Sequence, residues 1–213
     1  MMIEGEEIEN GVDDHDEAEL EYEEDVKTDG KHPDGEYSYV IKIPRDRVAA
    51  LIGIKGKDKK DLEEYSRSKI SVDSKEGDVT ITGRDALKLY EIREVVKAIA
   101  RGFSPEAARL LLKSDYTLEI INLRDYGLES PNKLARIRAR LIGTGGKARR
   151  TLETLTQTNI SIYGKTIAII GECMSVSSAR RALEMMISGS MHATVYKWLE
   201  KQRRKSREDQ KGF

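Results

Sequence analysis

Two tetrapeptides bounded by glycine hold the residues whose types and spacing could do chemistry: Gly53-Ile54-Lys55-Gly56 and Gly143-Thr144-Gly145-Gly146. Each stands between two runs with helical spacing. Glycine lets another polymer approach the backbone with no Cβ in the way. It also leaves the first N–H groups of the following helix uncovered, and their partial positive charge suits a phosphate. Cations flank both loops. Lys55 and Lys57 serve the first, and Arg136, Arg138, Arg140, Lys147, Arg149 and Arg150 serve the second. The three arginines ahead of the second loop are expected to point largely outward. Val48, Ile52 and Ile70 in the first set, and Ile142, Ile160 and Ile162 in the second, are candidates to line a narrow apolar groove. Such a groove suits the unpaired bases of single-stranded RNA better than a duplex. Thr144 and Gly145 would provide the close approach, with Ile54 and Lys55 in their place in the first loop.

Other chemistries find little support. Gly146-Lys147 is not a P-loop, because position 148 is Ala where Ser or Thr would hold Mg²⁺ and the upstream glycine is missing. Gly143-x-Gly145-x-x-Ala148 loosely fits a dinucleotide fingerprint, but a helix precedes it instead of a strand. His15, His32 and His192 lack metal-ligand spacing, so neither metal nor cofactor is expected. Cys173 has no nearby base candidate and is expected to be buried filler. The carboxylates fall in the N-terminal segment or on charged helix faces. No catalytic constellation emerges, and the chain is not expected to be an enzyme.

A repeated frame must hold the two loops. Residues 37–44 read as a strand, and 45–52 and 57–67 as helices on either side of the first loop. Residues 69–73 and 78–82 read as strands around Lys75-Glu76-Gly77. Residues 85–101 form an amphipathic helix, with Leu87, Leu89, Ile92, Val95, Val96 and Ile99 inward and Gly102 at its end. Within 103–115, Ser104-Pro105-Glu106 opens a packed linker helix. The order then recurs. Residues 116–123 are a strand, 132–142 and 147–158 are helices, 159–163 and 166–170 are strands, and 176–188 is the closing helix. A final helix over 192–207 has Val195, Tyr196 and Leu199 as an apolar stripe with Trp198 beside it, and five of residues 201–207 are basic. That basic end reads equally as a solvated helix terminus or as a phosphate contact.

The duplication can be counted. Gly53, Gly56, Lys57, Leu62 and Ile70 match Gly143, Gly146, Lys147, Leu152 and Ile160 at a constant offset of 90. Gly83 matches Gly171 at 88, and Gly102 matches Gly189 at 87. One loop alone would be weak evidence, whereas two in matching β-α-α-β-β-α frames are strong. The expected units are a first domain at 37–102, a linker at 103–115, a second domain at 116–189 and a basic C-terminal helix and tail at 190–213.

Charge follows the same division. The 213 residues carry a net −1, but residues 1–36 hold 16 Asp and Glu against Lys27 and Lys31, a charge of −14. The remainder holds 35 Lys and Arg against 22 Asp and Glu, a charge of +13. A basic body with an acidic tail is a common pattern in nucleic-acid binders. The first 36 residues have too few apolar groups to offset their ordering entropy and are expected to be a disordered acidic tail. No run approaches a membrane helix and no secretory signal is visible, so a cytoplasmic location is expected.

These motifs resemble two tandem type I KH domains, which clamp about four nucleotides through such a loop. More narrowly, 37–202 is similar to the archaeal members of a double-KH small-subunit ribosome assembly family. Their eukaryotic counterpart is known as the partner of the Nob-one endonuclease. The most specific stretches are ARGFSP at 100–105, LEIINL at 118–123, SIYGKTIAIIG at 161–171 and GSMHATVYKWL at 189–199. The resemblance implies an α+β fold: in each domain, a three-stranded sheet with three helices on one face. It also implies binding of precursor rRNA near the 3′ end of the small-subunit rRNA, mainly through the second domain, and help to final trimming by the Nob-one endonuclease. A link to the alpha subunit of archaeal initiation factor two is implied as well. Two rival roles stay open: an RNA-dependent adaptor in translation initiation, and a non-catalytic subunit of an RNA-processing nuclease. One departure stands out. KH loops often hold a basic residue inside the tetrapeptide, and Lys55 fits, but Thr144-Gly145 does not. Charge at the second loop must come from its flanks.

Overall fold

The computed structural model describes residues 36–211. The expected acidic tail lies outside the described residues, except Glu36, whose carboxylate is 3.7 Å from Arg84. The first unit is β1 (Tyr37–Lys42), α1 (Arg45–Ile52), α2 (Lys57–Ser66), β2 (Lys69–Val72), β3 (Asp78–Gly83) and α3 (Ala86–Ala100). A short α4 (Pro105–Ala108) and a 3₁₀ turn (Arg109–Leu112) lead to the second unit. This is β4 (Tyr116–Asn122), α5 (Pro131–Ile142), α6 (Lys147–Thr156), β5 (Asn159–Tyr163), β6 (Thr166–Glu172) and α7 (Cys173–Ile187), followed by α8 (His192–Lys211). Each sheet is antiparallel, in the orders β1-β3-β2 and β4-β6-β5. The helices of each unit cover one face of its sheet.

The duplication extends to individual hydrogen bonds. Ser66 Oγ donates to the Leu62 carbonyl and meets Ser68 Oγ, as Thr156 Oγ1 does with Leu152 and Thr158. The Glu63 carboxylate accepts the Ile70 N–H at 2.8 Å, and Glu153 accepts that of Ile160 at 2.9 Å. β2 and β5 are edge strands, so these N–H groups need a partner from outside the sheet. Arg67 and Gln157 both end their helices in the left-handed region, at φ 51° and 57°.

The two sheets are buried differently. Alternate residues of a strand face opposite sides of its sheet. On β6, Ile167 and Ile169 join the core of the second unit, whereas Ala168 and Ile170 join the core of the first. Tyr116, Leu118 and Ile120 of β4 pack against that first core too. The second sheet is therefore sandwiched between two helical layers, which explains its continuous apolar run Ile167-Ala168-Ile169-Ile170. Hydrogen bonds pin the contact. Ser161 Oγ donates to the Arg101 carbonyl at 2.8 Å, and the Tyr163 hydroxyl meets both Asp46 carboxylate oxygens.

Four expectations need correction. The linker is not one helix: Ser104 caps a single turn through the Ala107 N–H, and the chain then tightens to 3₁₀. Leu87 is 67% exposed, because Asp85 caps α3 at Leu87 and Lys88 and the buried stripe starts only at Leu89. Cys173 is exposed, not buried. β6 runs straight into α7, so that helix starts at Cys173 instead of Val176.

Candidate RNA-binding site

Both glycine loops adopt one conformation. Gly53 and Gly143 end α1 and α5 at φ 72° and 70° and donate to Ala49 and Ala139. Gly56 and Gly146 precede α2 and α6 in the left-handed region, at φ 77° and 75°. No side chain caps either following helix, whereas Asp85 caps α3 and Ser130 caps α5. A Cβ added at Gly56, Gly145 or Gly146 would meet nothing within 4 Å, so these backbones face open space.

The loops differ in what lies one residue into the next helix. In the first unit this is Asp58. Its carboxylate packs on Gly53, and Arg109 of the linker holds it at 2.8 Å while also reaching Asp61 at 3.0 Å. The helix end in the first unit thus carries its own anion. In the second unit the matching residue is the neutral Ala148, against Gly143. The surrounding charge differs as well. α1 and α2 carry five cations and five acids, whereas α5 and α6 carry seven cations and only Glu153.

The flanking arginines divide by role. Arg136 is exposed on α5. Arg138 and Arg140 are half-buried and point less outward than expected, because carbonyls nearby capture them. Arg138 donates to Gly164 in the β5–β6 turn at 3.3 Å, and Arg140 donates to Ser190 at 2.6 Å. Arg150 folds back onto the Gly145 carbonyl, over the loop. Arg149 pairs with Glu153 at 3.7 Å, and Lys147 is exposed at the head of α6. In the first loop Ile54 is 84% exposed, and Lys55 and Lys57 are exposed beside it.

The proposed groove walls also need correction. Ile70 and Ile160 are only 1% and 3% exposed, and Val48 only 4%, so all three belong to the cores. They support a groove from beneath instead of touching a base. Ile52, Ile142 and Ile162 are half-buried and remain at the surface. A shallow depression of about 260 Å³ runs along α6, lined by Lys147, Arg150, Thr151, Thr154 and Leu155. Among the described residues, no group of three or more His, Cys, Asp or Glu could hold a metal ion.

Sequence reasoning missed how α8 joins the site. Its first residue, His192, meets the Arg140 carbonyl at 3.0 Å through Nε2, just before the second loop. Tyr196, one turn on, stacks with His192 and reaches Thr151 of α6. Burial raises the Tyr196 hydroxyl above its ordinary pKa. Val195 and Leu199 are fully buried under α6 and α7. The apolar stripe was visible in sequence, but its partner helices were not.

A helix, glycine loop and helix beside an edge strand, on a three-stranded antiparallel sheet and present twice, define a tandem KH-domain protein of the RNA-binding class. Comparison with known families agrees. Residues 38–98 match the family model described as KH domain, and 117–204 match that for the second KH domain of PNO1, a eukaryotic type KH-domain of type I. A KH domain-containing protein of Methanocaldococcus jannaschii is 45% identical over 78% of this chain and 74% of its own length. The RNA-binding protein pno1 of Drosophila pseudoobscura pseudoobscura is 32% identical over 53% of this chain, which spans about half, 48%, of that relative. A chain in the crystal structure of an a/eIF2alpha–aDim2p–rRNA complex from Pyrococcus horikoshii OT3 is 41% identical, with a TM-score of 0.74 over 80% of this chain and 96% of that one. The chain belongs to the PNO1/Dim2 family of ribosome biogenesis factors, on its archaeal side.

Proposed function

We propose that the protein binds single-stranded pre-rRNA near the 3′ end of the small-subunit rRNA and assists its maturation, chiefly through the second KH domain. One observation carries the choice of domain: the uncapped start of α6 follows Gly146 with neutral Ala148 behind it, whereas the first loop meets Asp58. The Gly146 and Lys147 N–H groups close the loop by donating to the Gly143 and Thr144 carbonyls, so the Gly145 N–H and the first-turn N–H groups of α6 beyond Lys147 would take a phosphate. Lys147, Arg150 and Arg136 add charge, and Ile142 and Ile162 offer apolar surface to bases. The site supplies donors and cations, so it suits holding RNA and not cutting it. The complex of a similar protein with a/eIF2alpha and rRNA supports the rRNA target and the alpha subunit of the archaeal initiation factor as a partner. The Nob-one type endonuclease is the further partner in this reading, and the cytoplasm is its place.

The test is the double variant Gly145→Asp, Gly146→Asp. It puts two carboxylates where the structure leaves open space. Affinity for an oligonucleotide of the rRNA 3′ end is expected to fall at least tenfold, with the fold retained by circular dichroism. Unchanged affinity in a folded variant would refute the groove. Labelled RNA incubated with the protein and Mg²⁺ or Mn²⁺ is expected to stay intact.

A further inference from the structure

We infer that the outer face of α8 is a second phosphate-binding surface, which takes the sugar-phosphate backbone of RNA beyond the nucleotides in the groove. This deepens the RNA-binding reading above and rests on it. Lys197, Lys201, Arg204 and Lys205 are all exposed. Their spacing of four, seven and eight residues places them on one face of the helix. At 1.5 Å per residue they span about 12 Å along its axis. Among residues 192–205 the only acid is Glu200.

Among the residues of α8 whose side chains are described, the last fully buried one is Leu199, and none of residues 200–205 is buried. The helix nevertheless continues to Lys211. Helix-dipole compensation does not account for the stripe. That effect fades within the last turn, whereas Lys197 lies almost four turns before Lys211.

Placement ties the stripe to the groove. His192 meets the Arg140 carbonyl beside the glycine loop, and Tyr196 meets Thr151 one turn along α6. α8 and α6 therefore start at the loop and run in the same direction. The head of α6, with Lys147 and Arg150, is thus packed beside the first turns of α8, whose outer face carries the stripe. RNA leaving the loop along α8 passes from base contacts to charge contacts. The latter are independent of sequence and steeply salt-dependent.

The test uses the full chain and the quadruple variant K197Q/K201Q/R204Q/K205Q. Its targets are an oligonucleotide of about four to six residues and a longer RNA with a flanking hairpin. Circular dichroism and a denaturant titration establish that the variant is folded. Expected is an unchanged affinity for the short oligonucleotide and at least a tenfold loss for the long RNA. The slope of log affinity against log salt should shrink by about 3, near 0.7 to 0.9 per lost contact. An unchanged long-RNA affinity and slope would overturn the inference. So would a gain in affinity, which would assign the stripe to an acidic protein segment instead. Failure of the wild type to bind the short oligonucleotide would sink the groove reading separately. The single variant Glu200→Gln, which removes no cation, is expected to raise long-RNA affinity.

Discussion

Lys55 and Gly145 occupy the same left-handed backbone position in their loops, at φ 54°, ψ 28° and φ 58°, ψ 26°. That position costs a residue with a Cβ about 1–2 kcal/mol, and glycine almost nothing. Part of the gain from glycine is lost to its freer unfolded chain. Lys55→Gly is therefore expected to stabilise the protein by about 0.5–1 kcal/mol, and Gly145→Lys to destabilise it by a similar amount. Urea unfolding measures both, and shifts of the same sign would contradict the strain argument. The uncharged second loop is thus the relaxed version of the first, with its cations moved to the flanks.

Asp58→Ala copies the second unit into the first, since Ala148 is the matching residue. Arg109 keeps Asp61 at 3.0 Å, so stability should change by less than about 1 kcal/mol. Removing the carboxylate from the head of α2 should let the first loop accept phosphate. Calorimetry is expected to show a second, weaker site for short RNA. A stoichiometry still at one, with unchanged affinity, would mean that Asp58 is not what silences the first loop.

Leu199→Ala should cost about 2–5 kcal/mol, as for other buried leucines, because this side chain of α8 is buried at 2% exposure against α6 and α7. Lys201→Ala, two residues on and exposed, should change stability by less than about 0.5 kcal/mol. Denaturant midpoints separate the two, and equal effects would contradict the anchoring of α8 through Leu199.

Tyr196 provides a pH signature. Burial holds its hydroxyl above the ordinary value of 10.0, so the folded state keeps the proton longer than the unfolded chain does. Its contribution is complete below pH 10 and is lost as pH rises through the folded value. Stability should therefore drop more steeply above pH 10 in the wild type than in Tyr196→Phe. Parallel alkaline profiles would assign the drop to other groups.

Much of this was legible in the sequence, for particular reasons. Glycines matched at an offset of 90 bring their neighbours with them, so both loops and the strand and helix order follow from counting. Burial beneath those loops was not legible. Ile160 and Ile162 share one face of β5, and sequence does not show that Ile160 is fully buried in the core while Ile162 is only half-buried against it. Arg138 and Arg140 read as outward cations because sequence does not show that the Gly164 and Ser190 carbonyls lie within reach. α8 was legible only as the apolar stripe Val195, Tyr196 and Leu199, because sequence does not show which helices that stripe packs on.

A strand that contributes Ile167 and Ile169 to one core and Ala168 and Ile170 to the other belongs to neither half alone. The ancestral copies have become non-interchangeable. The core of the first copy also covers the outer face of the second sheet, so a change in the interior of one domain is felt in the other, whichever of them an RNA touches.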